Sequence, residues 1–268
     1  MINHRVPELI VCDVDGTLID PSEALTPAFD ELHDLIKRNG LRFTLASGRS
    51  TDQLRKYLDK LEIIEPVIIN NGGGARQNGA PLWDELLDPL CIKRAVLEAD
   101  KLDMAIFMCD GDHETAYRHN AYIQREIDVF GRYNHFYIPL ESEWETLRLE
   151  KVMITDPQKP GRVDEILPYL TPYVDCLNVI RYDDRHLDIM KQGVTKGGAV
   201  ERIARFLNVP LGDIMAVGDG ANDIEMMQKV GLAVSVANAS PVLKAHMDYS
   251  CQESYTYGVI EAIKKFCI

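Results

Sequence analysis

Short, wholly apolar segments alternate with amphipathic segments along the first third of the chain. The segment Leu9–Cys12 is continuously apolar, which is typical of a strand buried on both faces of a parallel sheet. An amphipathic helix is expected next, with Thr26 as its N-cap and Gly40 at its end. A strand over residues 41–46, a second helix around Leu54 and a strand at Val67–Ile69 continue the alternation.

The same alternation returns near the C-terminus. Helices are expected over residues 195–207, around Met226 and over residues 259–266, and strands over residues 214–217, 232–236 and 249–251. The middle of the chain has less regular strands, expected over residues 104–109, 115–118, 151–155, 176–181 and 187–190, with helices over residues 92–101 and 163–170. We therefore predict an α/β protein, in which residues 1–81 and 189–268 form a doubly wound, Rossmann-like parallel-sheet core and residues 82–188 form an inserted α+β domain.

Polar residues stand where several of these core strands end. In an open parallel sheet, ligands bind at the carboxyl ends of the strands, so these residues are expected to share one crevice. They are Asp13 and Asp15 after the first strand, Ser47 and Gly48 after the second, Lys196 at the start of the 195–207 helix, and Asp219, Asn222 and Asp223 after residues 214–217.

These residue types together favour phosphoryl transfer. One carboxylate can attack phosphorus, and a second acid two residues further on can protonate the leaving oxygen. A hydroxyl, a backbone N–H and a lysine can hold the phosphoryl oxygens, and oxygen ligands without a soft partner favour Mg²⁺. Each segment alone also has an ordinary structural interpretation, because Asp and Gly favour turns and surface lysines are usually solvated. The order and placement of all the segments together favour the catalytic interpretation.

The charge balance narrows the class of partner. Asp and Glu outnumber Lys and Arg by 42 to 29 over 268 residues, a formal charge of −13, which argues against nucleic acid or an anionic membrane as partner. A small anionic substrate is compatible if local cations and a metal reverse the field in the site. The sequence shows no signal peptide and no apolar run of roughly 18 residues, so we expect a cytoplasmic protein. The six cysteines form no C-x-x-C pair and are expected to be buried thiols.

The segments Asp13-Val14-Asp15-Gly16-Thr17 and Gly218-Asp219-Gly220-Ala221-Asn222-Asp223, with Ser47 and Lys196 between them, resemble the motifs of the haloacid-dehalogenase superfamily. The insert between Ser47 and Lys196 is similar to the α/β cap of the Cof-type phosphatases. Two departures concern substrate choice rather than the motifs. Residues 71–75 read Asn-Gly-Gly-Gly-Ala, longer than the usual Asn-Gly-Ala, and Tyr257 stands where many relatives have Asp.

The resemblance implies a role for each motif residue. Asp13 would be the nucleophile and Asp15 the general acid and base. Mg²⁺ would be held by the Asp13 carboxylate, the Asp15 backbone carbonyl and Asp219, with Asp223 as a ligand or close behind. The phosphoryl group would be held by the backbone N–H of Val14 and by Ser47, Gly48, Lys196 and Asn222.

The resemblance therefore implies a Mg²⁺-dependent phosphatase of small phosphorylated metabolites such as sugar phosphates. Two alternatives stay open. A phosphosugar mutase would use the same Asp13 and Asp15, and a metabolite-binding protein without catalysis could keep the scaffold. Within the cap, the turn at residues 110–114 is expected to join two strands of a hairpin. Two interpretations, a lining of the substrate side and an ordinary exposed surface of the cap, explain equally well the polar residues Tyr117, Arg118, Arg181, Tyr182 and Arg185. The sequence carries no indication of the oligomeric state.

Overall fold

Strands and helices alternate along the chain in a computed structural model that describes residues 6–133, 135–181 and 183–268. Tyr182 and the first five residues, which belong to the predictions on the cap and the N-terminus, lie outside these ranges. The strands are β1 (Leu9–Cys12), β2 (Phe43–Leu45), β3 (Val67–Ile69), β4 (Gly74–Gln77), β5 (Ala80–Asp84), β6 (Ala105–Cys109), β7 (Glu114–Ala116), β8 (Lys151–Thr155), β9 (Leu177–Arg181), β10 (His186–Lys191), β11 (Ile214–Gly218), β12 (Leu232–Ser235) and β13 (Tyr249–Ser250). The α-helices are α1 (Ala28–Asn39), α2 (Thr51–Lys60), α3 (Pro89–Lys101), α4 (Ala121–Phe130), α5 (Leu167–Leu170), α6 (Lys196–Leu207), α7 (Ile224–Lys229), α8 (Pro241–Lys244) and α9 (Tyr255–Phe266).

The chain divides into two units with separate hydrophobic cores. The core unit comprises the chain up to Arg49, Gln53–Trp83 and Thr195–Ile268. The inserted unit comprises Ser50–Asp52 and Asp84–Val194. The predicted boundary between residues 188 and 189 is wrong by several residues, because it cuts β10, which is paired on both sides within the inserted unit.

A parallel sheet with the strand order β13-β12-β11-β1-β2 forms the centre of the core unit. β1 is completely buried and pairs with β11 on one side and β2 on the other. β3 is joined to this sheet by a parallel bridge between Ala46 and Ile68. It also pairs with β4 in a separate antiparallel sheet of β3, β4 and β5. The predicted doubly wound α/β core is confirmed, and its β1, β2 and β11 end at the predicted polar residues.

An antiparallel sheet with the strand order β7-β6-β8-β10-β9 forms the inserted unit. One face packs its apolar residues, such as Ile106 and Val152, against Ile92 and Val96 of α3. A smaller cluster contains Phe107 of β6 and Ile123 of α4. β6 and β7 form a hairpin, as expected, and its turn is closed by a hydrogen bond from the Asp110 N–H to the His113 carbonyl at 3.1 Å.

Several local predictions need correction. No side-chain hydrogen bond caps the start of α1, so the predicted cap by Thr26 is absent, although Pro27 has the helical backbone expected of a proline in the first turn. Gly40 does end α1, in the left-handed conformation expected of a helix C-terminus. The cysteines are free thiols, and Cys12, Cys91, Cys109 and Cys251 are buried as expected, whereas Cys176 is exposed. None of the described helices has the length and apolar content needed to cross a membrane.

Candidate active site

Asp13 extends the central strand by one residue and is buried with it. Its backbone N–H donates to the Val217 carbonyl of β11 at 2.9 Å, and the residue is only 4% exposed. Its Oδ1 accepts a hydrogen bond from Lys196 Nζ at 2.5 Å. Lys196 is the first residue of α6, whose N-cap Thr195 accepts from the Gly198 N–H at 3.0 Å. The end of β1 and the start of α6 therefore place a buried lysine against a buried carboxylate.

Asp223 links Lys196 to the loop that follows β11. Lys196 Nζ donates to Asp223 Oδ1 at 2.8 Å. Asp223 Oδ2 accepts from the backbone N–H groups of Asp219 and Gly220, both at 3.1 Å. Asp223 thus uses both of its oxygens to hold the loop and the lysine in place.

Asp219 lies against the backbone of the loop that follows Asp13. Its Oδ1 accepts from the Thr17 hydroxyl at 2.9 Å. Gly16 has a φ of +82°, and a Cβ on this residue would lie 2.3 Å from Asp219 Oδ2, closer than any carbon can approach. A glycine is therefore required here both for the left-handed backbone and for the space that the carboxylate occupies.

The three carboxylates of Asp13, Asp219 and Asp223 form a cluster in which each offers one oxygen within 4.8 Å of the others. Burial raises the pKa of Asp13, and the charges of Asp223 and Asp219 raise it further against the opposing effect of Lys196. Burial likewise raises the pKa of Asp219, as does the charge of Asp223. Burial alone would lower the pKa of Lys196, but Asp13 and Asp223 outweigh it and raise that pKa. The lysine therefore stays charged and balances only part of the negative charge.

This donor set fits a hard divalent cation. All its ligand atoms are carboxylate oxygens, which suit Mg²⁺ better than zinc or copper. Because Asp223 already holds Lys196 and two backbone N–H groups, Asp13 and Asp219 are the side chains best placed to hold the ion. The glycine at position 16 keeps the space beside Asp219 clear of a side chain.

The side chain of Asp15 has hydrogen-bond partners outside this cluster. Its side chain is 52% exposed and accepts hydrogen bonds from the guanidinium of Arg49. Arg49 also donates to Glu23 Oε2 at 2.9 Å. The motifs gave neither Arg49 nor Glu23 a role. Arg49 could have been identified from the sequence, because it directly follows Ser47 and Gly48 at a strand end. Glu23 could not have been identified in this way, because it lies in an irregular loop.

The residues expected to hold a phosphoryl group lie at the ends of the same strands. Ser47 is completely buried, and its Oγ accepts from the Arg49 N–H at 3.1 Å. A Cβ on Gly48 would lie 3.2 Å from the amide of Asn71, so Asn71 is a further neighbour of this edge. Val14 directs its side chain into the core, and its carbonyl accepts from the Leu18 N–H at 2.9 Å.

Asn222 lies in the same turn as Asp223 but is only partly buried. Its amide oxygen lies over Gly220, where an added Cβ would be 2.5 Å away. Among the sequence-predicted residues, the structure thus brings Asp13, Lys196, Asp219 and Asp223 into one connected group. Asp15, Ser47, Gly48 and Asn222 lie at the ends of the strands and turns that carry this group.

Comparisons with known proteins agree with the family resemblance of the sequence motifs. A family model described as haloacid dehalogenase-like hydrolase matches residues 10–263. YxeH, a Bacillus subtilis protein that bears the name of a phosphatase, is 25% identical over 274 residues, which cover 97% of this chain and 98% of that protein. The 5-amino-6-(5-phospho-D-ribitylamino)uracil phosphatase YcsE of Bacillus subtilis is 22% identical over 264 residues and covers 97% of this chain and 96% of its own length.

Solved structures show the same fold. The crystal structure of a haloacid dehalogenase-like hydrolase from Bacteroides thetaiotaomicron superposes with a TM-score of 0.81 at 23% identity. The match covers 97% of this chain and 99% of that one, so it includes both the core unit and the inserted unit.

Proposed function

The chain belongs to the haloacid dehalogenase-like hydrolases and is a phosphatase, and we propose that it cleaves small phosphomonoesters through an aspartyl-phosphate on Asp13. The observation that carries the proposal is the buried contact of 2.5 Å between Asp13 and Lys196 at the carboxyl end of β1. A buried carboxylate beside a fixed cation is suited to attack a phosphoryl group that the same cation attracts.

In the first step, Asp13 attacks phosphorus and the bond between phosphorus and the ester oxygen breaks. The new bond joins an Asp13 carboxylate oxygen to phosphorus, and the electron pair of the broken bond leaves with the ester oxygen. Asp15 gives its proton to that oxygen, so the product departs as an alcohol. Lys196, the Ser47 hydroxyl, the Gly48 backbone and the Asn222 amide would hold the phosphoryl oxygens, with the backbone N–H of Val14.

In the second step, water attacks the phosphorus of the aspartyl-phosphate. Asp15, now a carboxylate, takes a proton from that water, and the bond between phosphorus and the Asp13 oxygen breaks. Inorganic phosphate leaves, and both aspartates return to their starting state. Asp15 therefore acts as the acid in the first step and as the base in the second.

Mg²⁺ fits this scheme as the cofactor. We propose Asp13, Asp219 and the Asp15 carbonyl as its ligands. Asp223 would hold these ligands in place through its hydrogen bonds with Lys196 and with the loop that carries Asp219. When bound, the ion would neutralise charge between the carboxylates and the phosphoryl group. The substrate class we propose is small phosphorylated metabolites, including sugar phosphates. YcsE, whose name specifies a phosphorylated ribityl compound, supports this class.

Release of phosphate from p-nitrophenyl phosphate tests the proposal. We expect activity that requires Mg²⁺ and that falls by at least about 10³-fold in Asp13→Asn, because the amide is no nucleophile. Asp59→Asn is the matched control, since Asp59 lies on the exposed side of α2. Retained activity in Asp13→Asn would reject Asp13 as the nucleophile. Conversion between two hexose phosphates without free phosphate would instead identify a mutase.

A further inference from the structure

Arg49 is a buried cation that lies between two carboxylates of the core unit. It is 8% exposed. Its Nε donates to both oxygens of Asp15, at 3.0 and 2.9 Å, and its Nη2 donates to Asp15 Oδ1 at 2.5 Å. Its Nη1 donates to Glu23 Oε2 at 2.9 Å, and Nη2 lies 2.8 Å from Glu23 Oε1. The planar guanidinium therefore has one edge on Asp15 and contacts to both oxygens of Glu23.

Glu23 is fixed by more than this ion pair. Its side chain is 10% exposed, and its backbone has a φ of +56°, which is uncommon for a residue with a side chain. The carbonyl of Glu23 accepts hydrogen bonds from Lys56 Nζ at 2.9 Å and from the Tyr57 hydroxyl at 3.1 Å, both on α2. A strained backbone that neighbouring groups hold in place is typical of positions with a functional requirement.

Asp15 differs from the carboxylates of the acidic cluster because its side chain is half exposed. An exposed aspartate can change rotamer freely, whereas a proton donor has to meet the leaving oxygen at hydrogen-bond distance. The fork of Arg49 sets both the position and the plane of the Asp15 carboxylate. Burial would lower the pKa of Arg49, but its contacts with Asp15 and Glu23 raise it, so the guanidinium stays charged.

We propose that Glu23 and Arg49 are positioning residues that hold the carboxyl group of Asp15 where it transfers its proton to the leaving group. Glu23 anchors Arg49 from the side opposite Asp15 and balances its charge, so that Arg49 is held in one orientation. The inference rests on the proposed function, in which Asp15 is the general acid. The roles of Glu23 and Arg49 are additional to those that the sequence motifs imply.

The test compares two esters of similar shape, phenyl phosphate and p-nitrophenyl phosphate. Phenolate is the poorer leaving group, so its departure depends more on the proton from Asp15. The kcat/KM value reports the steps up to departure of the leaving group. We expect Glu23→Gln and Arg49→Lys to lower kcat/KM for phenyl phosphate about tenfold or more, and for p-nitrophenyl phosphate less than about threefold. Inhibition by inorganic phosphate should be unchanged, because the groups that hold phosphate stay in place.

Glu65→Gln is the matched control. Glu65 is 11% exposed and pairs with Arg42 at 2.6 Å, in the same unit but without contact to Asp15. Its kcat/KM should match the wild type on both esters. Equal losses on both esters in Glu23→Gln and Arg49→Lys, or no loss on phenyl phosphate, would overturn the positioning role. A wild-type protein that hydrolyses neither ester, or an active Asp13→Asn variant, would reject the proposed function and this inference with it.

Discussion

At the scale of single residues, the acidic cluster is held by groups that cannot be exchanged for similar ones. Lys196 donates to two carboxylates from a position that is 2% exposed. Removing one partner of such a buried group leaves uncompensated charge, which costs more than a surface ion pair contributes. Gly16 is equally constrained, but by space rather than by charge.

The Gly16→Ala variant should lose Mg²⁺ affinity more than stability. The new Cβ would lie 2.3 Å from Asp219 Oδ2, so the carboxylate that we propose as a ligand has to move. We expect the Kd for Mg²⁺, measured by titration calorimetry, to rise about tenfold or more. Gly79→Ala is the matched control, because Gly79 has a similar φ of +78° and nothing within 4 Å of the added Cβ. It should lose about 1 kcal/mol of stability and leave the Kd unchanged. Equal Kd values for both variants would exclude Asp219 as a ligand.

At the scale of elements, the N-terminus of α6 sets the position of Lys196. The Thr195 hydroxyl accepts the Gly198 N–H, and the Thr195 carbonyl lies so close to Gly72 that a Cβ there would be 2.4 Å away. The first turn of α6 is thus fixed from inside by its cap and from outside by the turn that follows β3.

Thr195→Ala should lower both stability and turnover. Loss of the cap costs about 1 kcal/mol in chemical denaturation, and fraying of the first turn moves Lys196 away from Asp13, so kcat falls about tenfold. Asn120→Ala removes the corresponding cap of α4, where the side chain accepts the Ile123 N–H at 3.0 Å. This control should lose similar stability without the fall in kcat. If the two variants lost turnover equally, the cap of α6 would have no special part in placing Lys196.

The strands that are buried along their whole length are among the elements that the sequence predicted. β1 and β11 are continuous apolar runs because neighbouring strands and helices cover both of their faces. α4 was missed although Ile123, Ile127 and Phe130 have the spacing of an apolar helix stripe, and only Ile123 and Glu126 of its ten residues are buried. The hairpin of β4 and β5 was missed as well, since β4 is held by pairing between β3 and β5 rather than marked by an apolar pattern.

The site residues likewise include some that the sequence could predict and some that it could not. Asp13, Ser47 and Asp219 could be predicted because strand ends converge at one edge of a parallel sheet. Glu23 could not, because it reaches Arg49 across 26 residues from a loop whose path depends on α2. Contacts of that kind are decided by tertiary packing and leave no periodic signal in the sequence.

At the scale of the whole molecule, the excess of negative charge makes the site dependent on a cation. The chain carries a formal charge of −13, and in the core unit three carboxylates lie close together while one buried lysine, Lys196, pairs with two of them. Bringing like charges together opposes folding, whereas an ion that binds only the folded state stabilises it by mass action. Mg²⁺ is therefore expected to act on stability as well as on catalysis.

Thermal unfolding tests this coupling without any measurement of activity. At a Mg²⁺ concentration about 100 times its Kd, the ion should stabilise the core unit by about 2.7 kcal/mol and raise its Tm by several degrees. Asp219→Asn removes a proposed ligand and relieves repulsion in the cluster, so this variant should melt at a similar or higher temperature without Mg²⁺ and gain little from its addition. Asp248→Asn is the control, because Asp248 lies outside the cluster and accepts a hydrogen bond from the Ala233 N–H at 2.8 Å. This variant should keep the full response to Mg²⁺. An equal shift in Asp219→Asn and wild type would place the ion elsewhere, since stabilisation by a bound ion requires its ligands to be present.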